Sequence, residues 1–126
     1  MSSIALVVRD LGQRAAKSTL VLSKVSSLSL KSVMDAVKAG IPVFVRPVFD
    51  RKDELFAEKL LRVLEQLDTL GCKWVAWELL DGQAFSPREQ YFEITVNRLR
   101  NMIAADQESL EEQRREGELE DGENLH

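Results

Sequence analysis

Residues 53–71 read DELFAEKLLRVLEQLDTLG. Leu55, Leu60, Leu61, Leu64, Leu67 and Leu70 recur at helical spacing and form one apolar face, with Glu58, Lys59, Arg62 and Glu65 largely opposite. The pattern predicts an amphipathic helix from Asp53 to Leu70, stopped by Gly71. Asp50, Asp53 and Glu54 cluster with Arg51 and Lys52 at its start. Acids there suit the helix dipole, and nothing else in the sequence supports a metal or acid–base role for them. Two apolar runs bracket the helix. Ile41-Pro42-Val43-Phe44-Val45-Arg46 reads as a strand whose proline sits near the entry, where a missing N–H matters least. Lys73-Trp74-Val75-Ala76-Trp77-Glu78-Leu79 reads as another, ended by Asp81-Gly82. A right-handed crossover through the helix would make these two strands parallel neighbours.

Upstream, Ile4-Ala5-Leu6-Val7-Val8 is long enough for one buried strand, and Asp10-Leu11-Gly12-Gln13 reads as a turn. Residues 15–25 are ambiguous, because Thr19-Leu20-Val21-Leu22 suits a strand or a buried helix. After the Ser26-Ser27 break, Leu30, Val33, Met34 and Val37 stand at helical spacing, with Ser29 as N-cap and Gly40 as stop. Downstream, Ser86-Pro87-Arg88-Glu89 has the form of a cap, a first-turn proline and a capping-box acid. It predicts a long helix from Pro87 to at least Ala105, with Phe92, Val96, Leu99 and Ile103 on one face. The expected class is therefore α/β (α+β): a small βααβαβ sandwich, a three-stranded sheet covered by helices, plus a long additional C-terminal helix. A chain of 126 residues with 44% hydrophobic content suits a single globular domain over residues 1–105, followed by an acidic helix end or disordered tail over 106–126.

Composition removes several function classes. Cys72 is the only cysteine and His126, the last residue and a candidate vector remnant, the only histidine. An intramolecular disulfide, the usual zinc and haem sites, and Ser-His-Asp or Cys-His catalysis are thereby all but excluded. No catalytic residue, metal ligand or cofactor is expected. No apolar run reaches membrane-spanning length and no signal peptide is legible, so a cytoplasmic protein is expected. The net charge of −4 conceals an asymmetry: residues 106–126 carry nine acids against Arg114 and Arg115, while the rest is mildly basic. The acidic region argues against a nucleic-acid partner, because it repels phosphates.

Leu28-Ser29-Leu30-Lys31-Ser32-Val33-Met34-Asp35-Ala36-Val37 resembles the helix signature of the C-terminal domain of the bacterial ribosomal stalk protein. The similarity continues through a short strand, an amphipathic helix ending in Leu70-Gly71-Cys72 and a last strand at 73–79, about residues 4–80 in all. It implies the βααβαβ fold, a helix over 17–25, and capture of translational GTPases by basic and apolar side chains of the first two helices. Only Lys31 matches that motif residue for residue, with Lys17 and Lys24 as further members. The segment between those helices is two residues shorter and lacks the family's Gly-rich turn. The chain also opens directly on the first strand, without the family's dimerisation region and hinge.

Lys17, Lys24, Lys31 and Lys38 recur every seven residues, either as ordinary solvated surface or as a basic docking face. Trp74 and Trp77 point to opposite faces of their strand, because strand side chains alternate. At least one belongs to the core; the other is a candidate hot spot if the strand is an edge or its second face is uncovered, or core if the final helix covers that face. Cys72 has no residue to activate it and reads as a buried filler. The leading expectation is a non-enzymatic protein-binding module, an immunity-type antitoxin that neutralises a cognate protein toxin. The alternative is a stalk-like adaptor recruiting its partner through a Lys-bearing helical face. Partner-binding candidates are Lys24, Lys31, Trp77, Glu108, Glu111 and Glu112. The partner is another protein, a basic toxin domain fitting best, with no nucleic acid and no membrane; the sequence leaves the oligomeric state open.

Overall fold

A computed structural model describes residues 3–49, 53, 55–86 and 88–124, with side chains of the last helix described as far as Glu116. The chain is a mixed α+β protein with the order β1 (Ser3–Asp10), α1 (Ala15–Ser26), α2 (Leu30–Ala39), β2 (Phe44–Pro47), α3 (Phe56–Thr69), β3 (Lys73–Leu79), β4 (Phe92–Glu93) and α4 (Val96–Asn124). Among the described residues, four strands form one antiparallel sheet in the order β2-β1-β3-β4.

β1 is central because its apolar run can be buried on both faces, which a central strand requires. Ile4, Leu6 and Val8 enter the main core, and Ala5 and Val7 are buried on the opposite face. The expectation that the second and third strands are adjacent is corrected: β1 lies between β2 and β3 and pairs antiparallel with each. The α3 crossover therefore passes over one intervening strand. On the helix face the core is closed by Leu22 of α1, Val33 of α2, Phe56, Leu60, Leu64 and Leu67 of α3, and Leu99 of α4. The ambiguous stretch 15–25 is the helix α1, and Ser29 caps α2 by accepting from the Ser32 N–H.

Three boundaries differ from expectation. β2 begins at Phe44 rather than Ile41, so Pro42 precedes the strand, and Val43 N–H bonds to Leu6 O just ahead of it. α3 begins at Phe56 rather than Asp53, whose carboxylate instead receives the Arg46 guanidinium at 3.2 Å. Arg46 also lies over the Phe56 ring, 4.0 Å from its centroid, so the strand-to-helix junction is held by a cation. Leu55 consequently lies outside the apolar face and is 59% exposed. The larger correction concerns the expected helix from Pro87. Glu89 N–H does bond to Ser86 O, but the helix does not propagate. Phe92-Glu93 add a fourth strand to the edge of β3, Ile94 buries its side chain beside it, and Thr95 caps α4 through Arg98 N–H at 3.1 Å. The aromatic residues around Phe92 and the β-branched Ile94 favour an extended chain. The helical spacing of Phe92 with Val96, Leu99 and Ile103 was coincidental, and Phe92 is 73% exposed.

Candidate functional site

The six candidate residues fall on three separate surfaces. Lys24 is in the last turn of α1 and Lys31 in the first turn of α2, and both are exposed. The seven-residue interval of lysines does not make one stripe, because Ser27 ends α1 in the left-handed conformation, φ 63°, and redirects the chain. Lys24 borders a groove of about 320 Å³ between α1 and α3, floored by Val21, Val25 and Val63 and rimmed by Lys59, Arg62 and Gln66. Lys31 has the exposed side chains of Leu30 and Met34 near it on α2. Lys38 belongs elsewhere, at the border of the Trp77 cavity.

Strand alternation separates the tryptophans as expected. Trp74 packs against the main core, and its indole N–H donates to Asp68 Oδ1 at 2.9 Å. Trp77, half-buried, faces the other side of the sheet, where register places it beside Ala5. There the segment between β3 and β4 folds over the sheet. Phe85 and Tyr91 stack at 5.8 Å, and the Tyr91 hydroxyl accepts from Ser86 N–H at 2.7 Å and donates to Ala84 O at 3.1 Å. Trp77, Phe85 and Tyr91 line a cavity of about 410 Å³ over Val7 and Val75, with Arg9 and Lys38 at its border.

Glu108, Glu111 and Glu112 are exposed on α4, beyond its last hydrogen bonds and ion pairs to α3 among the described residues, although Ser109, Leu110 and Gln113 still line a groove with the body. Arg100 pairs with Glu65 at 2.7 Å and Gln107 donates to Glu58 at 3.1 Å, both on α3. Every described side chain from Gln107 to Glu116 is exposed. Leu110, 51% exposed, and Leu55 flank a further groove with Phe49 and Ile103, bordered by Glu58 and Asp106.

Cys72 is buried, as its position suggested. Desolvation, then the Asp10 and Asp68 carboxylates, push its thiol up to about 11, so the thiolate is suppressed at neutral pH. Among the described residues, no three His, Cys, Asp or Glu side chains are grouped to hold a metal ion. The Asp50 and Glu54 members of the acidic cluster, and the proline of the expected cap, lie outside the described residues. No helix of the described chain is long and apolar enough to cross a membrane.

Sequence reasoning missed Lys59, Arg62, Phe85 and Tyr91. Lys59, Arg62 and Gln66 share one flank of α3 by i, i+3 and i+7 spacing, a legible signal that was absorbed into a generally polar face. Phe85 and Tyr91 had no such signal, because their meeting depends on the loop's path over the sheet. Comparison with protein-family models, curated proteins and solved structures gave no match to this chain.

Proposed function

We propose that the chain is a non-enzymatic protein-binding module of the immunity type, a cytoplasmic protein that binds a cognate toxin and covers its active surface. The observation that carries this reading is the exposed acidic end of α4, where Glu108, Glu111 and Glu112 have no basic partner among the described residues. Glu108 and Glu112 are one helical turn apart, so their repulsion is relieved when a basic surface covers them. Such a helix also steers a basic partner, raising its capture rate by about 10- to 1,000-fold at low salt. Trp77, half-buried beside Phe85 and Tyr91, supplies an aromatic anchor of the kind that concentrates binding energy.

A second reading, a ribosomal-stalk-like adaptor, is favoured by the exposed Leu20, Leu30 and Met34 near Lys24 and Lys31 on α1 and α2. One experiment separates the two. The protein encoded by the adjacent reading frame is purified, and its association rate is measured with the full chain and with residues 1–105. Measurements are made at about 0.01 M and about 0.15 M salt, where the screening lengths are about 30 Å and 8 Å. On the toxin reading, truncation slows association, most at low salt. Faster and less salt-sensitive association after truncation refutes that reading and favours the lysine face. Absence of binding to the neighbouring product refutes the immunity reading in this form.

A further inference from the structure

α3 divides its charges between two flanks. Glu58 and Glu65 turn towards α4, where Gln107 and Arg100 engage them. Lys59 and Arg62 turn towards α1, where Lys24 joins them around the groove floored by Val21, Val25 and Val63. All three cations are exposed, and none pairs with a carboxylate among the described residues. Three like charges around an apolar floor concentrate a positive potential, and an anionic helix laid in the groove would neutralise it while covering the valines.

The chain carries a helix of that chemistry. Helical spacing places Glu108, Glu111 and Glu112 within one exposed stripe of α4, on the side away from Leu110 and Gln113, which line a groove with Phe49 and Leu55. Within one molecule α4 runs along the opposite flank of α3, as its ties to Glu58 and Glu65 show, so its straight end does not reach the groove. We infer that the Glu108/Glu111/Glu112 stripe of one copy docks in the Lys24/Lys59/Arg62 groove of a second copy. The contact joins unlike surfaces, so it propagates head to tail unless the rotation between copies closes a ring. It uses the helix offered above to a toxin but needs no toxin, so either idea can fail alone. A partner that takes the helix would dissolve the assembly.

Sedimentation of the full chain tests this. Exposed pairs are individually weak, so self-association with a dissociation constant of roughly 10–100 µM is expected at about 0.01 M salt, weakening about tenfold by about 0.15 M. K24E/K59E/R62E removes the groove and E108K/E111K/E112K removes the helix, each by exposed substitutions. Each variant alone is expected to be monomeric, and an equimolar mixture is expected to associate again because opposite charges then meet across the contact. A full chain that stays monomeric to about 1 mM at low salt overturns the inference. So does either variant associating as strongly as the parent, or a mixture that remains monomeric.

Discussion

Replacing Gly12 with alanine tests how tightly two distant turns are fitted together. Gly12 lies in the turn between β1 and α1, where its N–H donates to Asp10 Oδ1 at 2.8 Å and its φ is +81°. A Cβ there would stand 2.7 Å from Gly71 O and 3.0 Å from Leu70 O, in the turn between α3 and β3. Both obstacles are backbone, so no side chain can rotate away. The left-handed conformation costs an alanine about 1–2 kcal/mol, partly offset by about 0.4–1 kcal/mol from the stiffer unfolded chain. Forcing the two turns apart adds about 1–3 kcal/mol. A loss of about 1–4.5 kcal/mol follows, with a midpoint that corresponds to roughly 10 °C in Tm at this chain length. Gly40 provides the control: its φ is +68°, but nothing lies within 4 Å of the added Cβ. Gly40→Ala should therefore lose only about 1 kcal/mol. Urea unfolding of both variants, monitored by circular dichroism, gives the comparison. Equal losses would refute the close approach of the turns.

Leu64 is fully buried on α3, so Leu64→Ala should cost about 2–5 kcal/mol in urea unfolding. An unchanged midpoint would mean that the core face of α3 is misassigned. Ser18 is fully buried and its hydroxyl has no hydrogen-bond partner among the described residues. Ser18→Ala should thus leave stability unchanged or raise it by about 1 kcal/mol, and a loss beyond that would reveal a partner. The Cys72 thiol is raised from 9.0 to about 11, so the unfolded chain loses this proton at lower pH than the folded one. Its contribution to stability is full below pH 9.0 and falls away as pH rises through about 11. Melting curves of the parent should decline more steeply over that interval than those of Cys72→Ala, and parallel declines would contradict the burial.

Much of the architecture was legible because the chain's local signals agree with one another. The leucine period of α3, the Ser29 cap and Gly40 stop of α2, and the doubly apolar run of β1 each report on backbone conformation within a few residues. The alternation that sends Trp74 and Trp77 to opposite faces is equally local. The failures arose where local and distant forces compete. Phe92 continues the helical spacing of α4, yet pairing opposite Glu78 draws it into β4 and moves the helix start to Val96. Leu55 fits the leucine period, but it is the N-cap of α3, its carbonyl accepting the Lys59 N–H, and its side chain is exposed ahead of the face that packs on the core. The surfaces that matter for binding depend still more on tertiary structure. The acidity of 106–126 was evident from composition, since net charge is a sum over sequence. The basic groove of Lys24, Lys59 and Arg62 arises only when α1 packs against α3, and the Trp77 cavity only when Phe85 and Tyr91 cross the sheet. Backbone dihedral preferences and side-chain periodicity act over one or two turns of chain and are written in order along it. A binding surface is a meeting of residues far apart in that order, and packing alone decides which ones meet.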